Sequence, residues 1–146
     1  MTTATMSGAG QDTKVSTGSL FGAGFLGGAI AAVANLVLYF GASAAGVSFA
    51  GEFGPGVDSL PVPAIGISSV VPAIPGAILA LILLKVTPAK AATVFGIISI
   101  VFCVLSFGGP VGVKGLGTGG LVVMELMHVV AAAGIGGFIW KKLAGR

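Results

Sequence analysis

Glu125 and His128 are the titratable side chains whose spacing most directly suggests a site in this sequence. They lie three residues apart in the segment ELMH, between the apolar runs GGLVVM and VVAAAGIGGFIW. Residues three apart share one face of a helix, and this face continues through the small residues Ala132 and Gly136. A carboxyl group and an imidazole on such a face can exchange a proton, bind a polar head group or hydrogen-bond to a neighbouring helix.

The composition indicates that lipid surrounds this segment. The chain has 146 residues, of which 55% are hydrophobic and 8% are charged, and its mean hydropathy is +1.12. Soluble domains carry about 25% charged residues, so this chain has too little charge to cover the surface of a soluble fold. The lipid bilayer is therefore its first predicted partner.

Four mostly apolar stretches, of which only the fourth contains an acid, Glu125, are long enough to cross a bilayer, which requires about 20 such residues. They cover approximately residues 20–45, 60–84, 91–107 and 119–140, and the sequence Gly-Gly-Pro at 108–110 is predicted to break the third. The pattern predicts an all-α fold, a four-helix transmembrane bundle over residues 20–142, preceded by a flexible tail over residues 1–19. The first stretch is longer than the apolar part of a signal peptide, which has about 7–15 residues, so a span is favoured over a cleaved signal.

The distribution of basic residues predicts the orientation of the chain. If the N-terminus is cytoplasmic, six basic residues lie on the inner side: Lys14, Lys85, Lys90, Lys141, Lys142 and Arg146. Lys114 alone then lies outside. Because cytoplasmic loops are enriched in lysine and arginine, both termini are predicted to be cytoplasmic. The basic residues do not alternate with aromatic ones, so no nucleic-acid partner is indicated.

Polar side chains from all four predicted helices fall in one layer in the outer half of the membrane. Its members are Asn35, Ser68, Ser69, Ser106, Glu125 and His128. At about 1.5 Å of rise per residue, Glu125 lies roughly 9 Å below the outer end of its helix, and His128 and Asn35 lie roughly 13–15 Å below theirs. Pro72 and Pro75 follow the serine pair and are predicted to kink the second helix and free backbone carbonyls there.

Three interpretations of this layer stay open. In the first, Glu125, His128 and Asn35 hydrogen-bond to one another and hold the helices in register. In the second, the layer is a ligand, ion or proton site of a small transporter, channel or binding protein. In the third, the protein is a membrane enzyme with His128 as base for a serine nucleophile. The sequence assigns no catalytic residue, metal or cofactor, because di-iron sites need Glu-x-x-His twice and this chain has one histidine.

Glycines mark the faces on which the predicted helices can pack closely. Gly24 and Gly28 form a ridge of small residues on the first helix, and Gly134 and Gly137 lie on the fourth. These glycines can serve packing within one bundle or between subunits. The leading functional hypothesis is therefore a non-enzymatic membrane protein that assembles with itself or with a larger membrane complex as an accessory subunit.

Four segments of the sequence resemble a known family. They are AAVANLVLYFGASAAGVSF at 31–49, PVPAIGISSVVPAIPGAILAL at 61–81, LSFGGP at 105–110 and LMHVVAA at 126–132. Together they are similar to a family of small four-span bacterial membrane proteins known only as a domain of unknown function. The resemblance implies a four-helix fold in the bacterial inner membrane, and it implies no biochemical activity.

Overall fold

A computed structural model describes residues 15–145 of the chain. In chain order the elements are α1 (Thr17–Ala44), β1 (Ala50–Gly54), β2 (Val57–Ser59), α2 (Val62–Val70), α3 (Ala73–Val86), a 3-10 turn (Pro88–Lys90), α4 (Ala91–Ser106), α5 (Gly108–Val111) and α6 (Thr118–Ala144). Most of the predicted flexible tail lies outside the described residues. Helix α1 begins at Thr17 because the Ser16 hydroxyl caps it, accepting a hydrogen bond from the Ser19 amide at 3.1 Å.

Four helical segments are long and apolar enough to cross a membrane, which confirms the predicted transmembrane bundle. They run over Thr17–Ala44, Val62–Val86, Pro88–Val111 and Thr118–Ala144, with 24 to 28 residues each. At about 1.5 Å per residue such helices measure roughly 36–42 Å, and the hydrocarbon core of a bilayer is about 30 Å thick. Four successive crossings return the chain to the side on which it started.

The first and last helices form the central pair of the bundle, and glycine lets their backbones meet. A Cβ atom added at Gly134 would lie 2.6 Å from the carbonyl oxygen of Gly27 and 3.1 Å from Ala31. On the neighbouring face of α1, a Cβ at Gly24 would lie 3.2 Å from Ala73, and one at Gly28 would lie 3.0 Å from the Ser69 carbonyl. Only glycine permits this spacing between helix backbones.

The second span is broken at its two prolines. Helix α2 ends at Val70 and α3 starts at Ala73. Pro72 and Pro75 have no amide hydrogen, so the regular ladder of helical hydrogen bonds is interrupted there. It resumes when the Gly76 amide donates to the Pro72 carbonyl at 3.1 Å. The predicted kink is therefore present, and it lies one turn below the serine pair of the polar layer.

The half of the bundle nearest the described chain ends is an apolar core. Its buried residues come from all four spans: Leu20, Ala73, Ala77, Ala80, Leu83, Ala91, Phe95, Ile135, Ile139 and Leu143. Leu20 near the start of α1 and Leu143 near the end of α6 belong to this cluster, so the described ends of the chain lie together. The polar side chains of the predicted layer lie outside this core, toward the opposite end of the helices.

The third span does not stop at its glycine pair. After α4 ends at Ser106, the chain makes another helical turn as α5 over Gly108–Val111. Pro110 fits there because residues in the first turn of a helix have amides with no partner inside the helix. Two glycines weaken a helix without forbidding it, and the Pro110 ring is buried.

A small cap covers the end of the bundle that lies opposite the described chain ends. Strands β1 and β2 pair antiparallel across a turn in which Pro55 is followed by Gly56 at φ 73°, as a type II turn requires. The Glu52 amide donates to the carbonyl of Lys114 at 2.9 Å, which ties this hairpin to the segment before α6. Phe49 is buried, and its ring centroid lies 4.8 Å from that of Tyr39 on α1.

Candidate functional site

Asn35 joins three helices at the centre of the polar layer. Its side chain is 2% exposed, and its Nδ2 atom donates to the Ser69 hydroxyl at 3.0 Å and to the backbone oxygen of Met127 at 3.1 Å. The Met127 carbonyl can only accept, so this contact fixes which end of the amide faces α6. The Oδ1 atom of Asn35 is buried and has no hydrogen-bond partner among the described residues.

A cavity of about 100 Å³ lies beside Asn35, between α1, α2 and α6. Its polar lining residues are Asn35, Ser68, Ser69 and His128, and apolar side chains of α2 and α6 complete the wall. Four of the six residues predicted as a ligand or proton site therefore surround one space. The Ser68 and Ser69 hydroxyls both donate to the carbonyl of Ile65, at 3.3 and 2.7 Å.

His128 is held in place by its own helix. Its Nδ1 atom lies 2.7 Å from the backbone oxygen of Met124. Because a carbonyl oxygen cannot donate, Nδ1 must carry the proton of this bond. In the neutral ring Nε2 is then an acceptor, and no described residue donates to it.

Glu125 and Ser106 lie apart from the cavity. The Glu125 carboxyl group is near enough to Cys103 on α4 to interact electrostatically with its thiol. Both of its oxygens are buried without a hydrogen-bond partner in residues 15–145. The Ser106 hydroxyl donates to the carbonyl of Cys103 at 2.6 Å. The structure thus divides the predicted layer into a cavity group and a pair that belongs to the α4–α6 side, and no hydrogen bond joins Glu125 to His128.

Replacing Glu125 with leucine is expected to leave the fold intact and to raise its thermal stability in detergent. Leucine fills a similar volume and removes two oxygens that are buried without partners, a state that costs about 1–3 kcal/mol per group. Glu125→Gln is the matched control, since it retains a polar end and should gain less. A leucine variant that unfolds at a lower temperature would show that the carboxyl group has a stabilising partner in the membrane.

The contacts give no support to a serine nucleophile activated by His128. Each of the three candidate hydroxyls, on Ser68, Ser69 and Ser106, donates to a carbonyl of its own helix. Within residues 15–145 there is also no group of three histidine, cysteine or acidic side chains placed to hold a metal ion.

Some residues of the layer could not be identified from side-chain types. Met124 and Met127 take part through their backbone oxygens, which leave no trace in the sequence. Gly27, the partner of Gly134, was also missed as a packing residue. It lies three residues after Gly24, and a helical projection of α1 would have placed both on the buried face. Gly137, predicted as a packing residue, has no neighbour within 4 Å of an added Cβ.

Four long apolar helices, with a polar layer between them, define a multi-pass integral membrane protein. Residues 15–144 match the family described as a family of unknown function (DUF6069), and the chain belongs to that family. This confirms the resemblance found in the sequence. Comparisons with curated proteins and with solved structures gave no match.

Proposed function

We propose that this protein is a non-enzymatic integral protein of the bacterial inner membrane that forms a homo-oligomer and acts as an accessory subunit. The observation that carries the proposal is a face of α6 that the bundle leaves uncovered. It is formed by Leu126, Val129, Ala133 and Gly137, and we call it the outward face of α6. Its residues recur at helical spacing, so they form one continuous strip.

The outward face of α6 has the shape of a helix-packing surface. Ala133 and Gly137 are four residues apart, which is the small-xxx-small pattern that lets two membrane helices approach closely. Gly27 and Gly134 use the same property inside the chain, whereas Gly137 has nothing within 4 Å of an added Cβ. A second copy of the chain offers an identical strip, and self-complementary surfaces favour symmetric dimers.

The third span is also exposed, but its large side chains make it a less suitable surface for a second copy than α6. In its most apolar part only 11% of the residues are buried within the chain, against 39% in the first span. Its large exposed side chains include Ile100, Phe102 and Leu105. These bulky residues suit lipid acyl chains, which leaves the small-residue strip on α6 as the better surface for a second copy.

Replacing Gly137 with leucine is expected to reduce the mass of the particle in native gels or native mass spectrometry from an oligomer to a monomer, with little loss of folded protein. The added side chain would project from the outward face of α6 and keep a second helix away. Gly66→Leu is the matched control, because Gly66 lies on α2 and also has open space around it. Equal losses of oligomer and folded yield at Gly137 would contradict the proposal.

The proposed orientation places both termini in the cytoplasm. It is supported by the basic residues near the inner core, where Lys85 and Lys90 flank the connection between the second and third spans. Trp140, Lys141 and Lys142 stand together near the end of α6, as side chains at a membrane–water interface commonly do.

Cysteine labelling in intact cells checks this orientation. In a Cys103→Ala background, a membrane-impermeant thiol reagent is expected to label Ser59→Cys and Lys114→Cys and to leave Lys90→Cys unlabelled until the cells are opened. Ser59 and Lys114 are both exposed at the outer cap. Labelling at position 90 in intact cells, with none at position 59, would reverse the proposed topology.

A further inference from the structure

The cavity beside Asn35 takes no part in the proposed assembly. It lies between α1, α2 and α6, while the outward face of α6 lies on another side of that helix. Its volume of about 100 Å³ is smaller than that of a roughly 150 Å³ engineered cavity that takes up benzene. The space therefore suits a small group of a few non-hydrogen atoms.

The hydrogen-bonding groups left over at this cavity are acceptors. With its proton on Nδ1, the neutral His128 ring offers the lone pair of Nε2. Asn35 donates to Met127 and Ser69 through Nδ2, and its remaining Oδ1 oxygen is an acceptor that is fully buried. The Ser68 and Ser69 hydroxyls already donate their hydrogens to Ile65. A molecule that completes the site must therefore bring hydrogen-bond donors.

The lack of charged side chains around the cavity limits its ligand to a neutral molecule. None of the residues that line the cavity is an aspartate, glutamate, lysine or arginine. A phosphate, carboxylate or ammonium group would lose its hydration there without meeting an opposite charge, which is strongly unfavourable. Glu125, the acidic residue of the layer, is not part of the lining.

We propose that the cavity binds a neutral molecule through a hydroxyl or N–H group that donates a hydrogen bond to the Nε2 atom of His128. The remainder of the molecule lies against the apolar walls formed by Ile65, Met124 and Ala131. The same chemistry suits a small alcohol dissolved in water and the hydroxyl head of an amphiphile dissolved in lipid.

The chain contains a single histidine, so nitrogen NMR can observe this contact directly. Full-length protein with ¹⁵N-labelled histidine and no histidine tag would be placed in vesicles of phosphatidylethanolamine and phosphatidylglycerol. Before any addition, the spectrum should show the tautomer with hydrogen on Nδ1. Addition of 1-octanol should shift the Nε2 resonance, and methyl octyl ether, which lacks the donor, should not.

Further arms of the same experiment separate the sources of the ligand. A shift with 1-octanol alone identifies a lipid-dissolved ligand, and an equal shift with ethanol identifies one that enters from water. Ala131→Leu, which fills the cavity, should abolish the shift and leave the Nδ1 signal unchanged, whereas Ala29→Leu on the exposed side of α1 should bind normally.

Four outcomes would overturn the proposal. They are hydrogen on Nε2 in the free protein, an equal response to the methyl ether, an equal response to the charged octanoate, and no response to either alcohol, which would mark a cavity filled by water only.

Discussion

Gly27→Ala is expected to destabilise the folded protein by about 1–3 kcal/mol, the usual cost of an extra methyl group in a packed core. The Cβ atom would run into the backbone carbonyl of Gly134, the closest contact between α1 and α6. A backbone atom cannot move aside by changing rotamer, so the two central helices would have to separate. Gly134→Ala meets the same obstacle from the other side, 2.6 Å from the carbonyl oxygen of Gly27.

Thermal unfolding in detergent measures this effect, and the chain supplies a matched control. Gly22→Ala adds the same methyl group to α1 five residues before Gly27, where nothing lies within 4 Å. Alanine is the better helix former, so the control should be as stable as the native protein or more so. If Gly27→Ala and Gly22→Ala melted at the same temperature, the close crossing of α1 and α6 would be wrong.

Asn35→Asp is expected to produce the second large loss of stability, again about 1–3 kcal/mol. The substitution keeps the shape of the side chain but replaces the Nδ2 donor with an oxygen. That oxygen would face the Met127 carbonyl at the position where the amide now donates over 3.1 Å. A protonated aspartate could satisfy only one of the two present acceptors, because it has one hydrogen where the amide has two.

Asn35→Leu distinguishes a lost hydrogen bond from an unsatisfied polar group. Leucine also removes both bonds, but it takes away the unpartnered Oδ1 atom and buries no new acceptor. Hydrogen bonds between membrane helices average about 0.6 kcal/mol, so the leucine variant should lie between the native protein and Asn35→Asp. Thermal unfolding of the native protein and the two variants measures this order of stability. An aspartate variant as stable as the native protein would show that Asn35 does not hold the three helices together.

The sequence predicted the spans because length and apolar composition alone decide whether a helix can cross a bilayer. It also predicted the kink at Pro72, since proline always removes a backbone donor. What it could not predict was the pairing within the polar layer. Residues three apart lie about 60° apart around a helix axis, and this angle is enough to place His128 at the cavity and Glu125 on the α4 side.

The sequence also predicted the contacts between glycines only in part, because these contacts depend on how the helices are rotated. The sequence contains 26 glycines, and their number alone does not show which of them meet. Gly27 and Gly134 are separated by most of the chain, and their contact depends on the relative rotation of two helices. The outward strip at Ala133 and Gly137 became apparent only when the buried faces of α6 were known.

Disulfide cross-linking in native membranes tests the proposed assembly most directly. In a Cys103→Ala background, Gly137→Cys should form a dimer of twice the 14.1 kDa chain mass under mild oxidation, because the outward faces of two α6 helices would meet there. Gly66→Cys, equally open but on α2, should remain monomeric. A monomer at Gly137→Cys, or equal dimer formation by both variants, would contradict the proposed homo-oligomer.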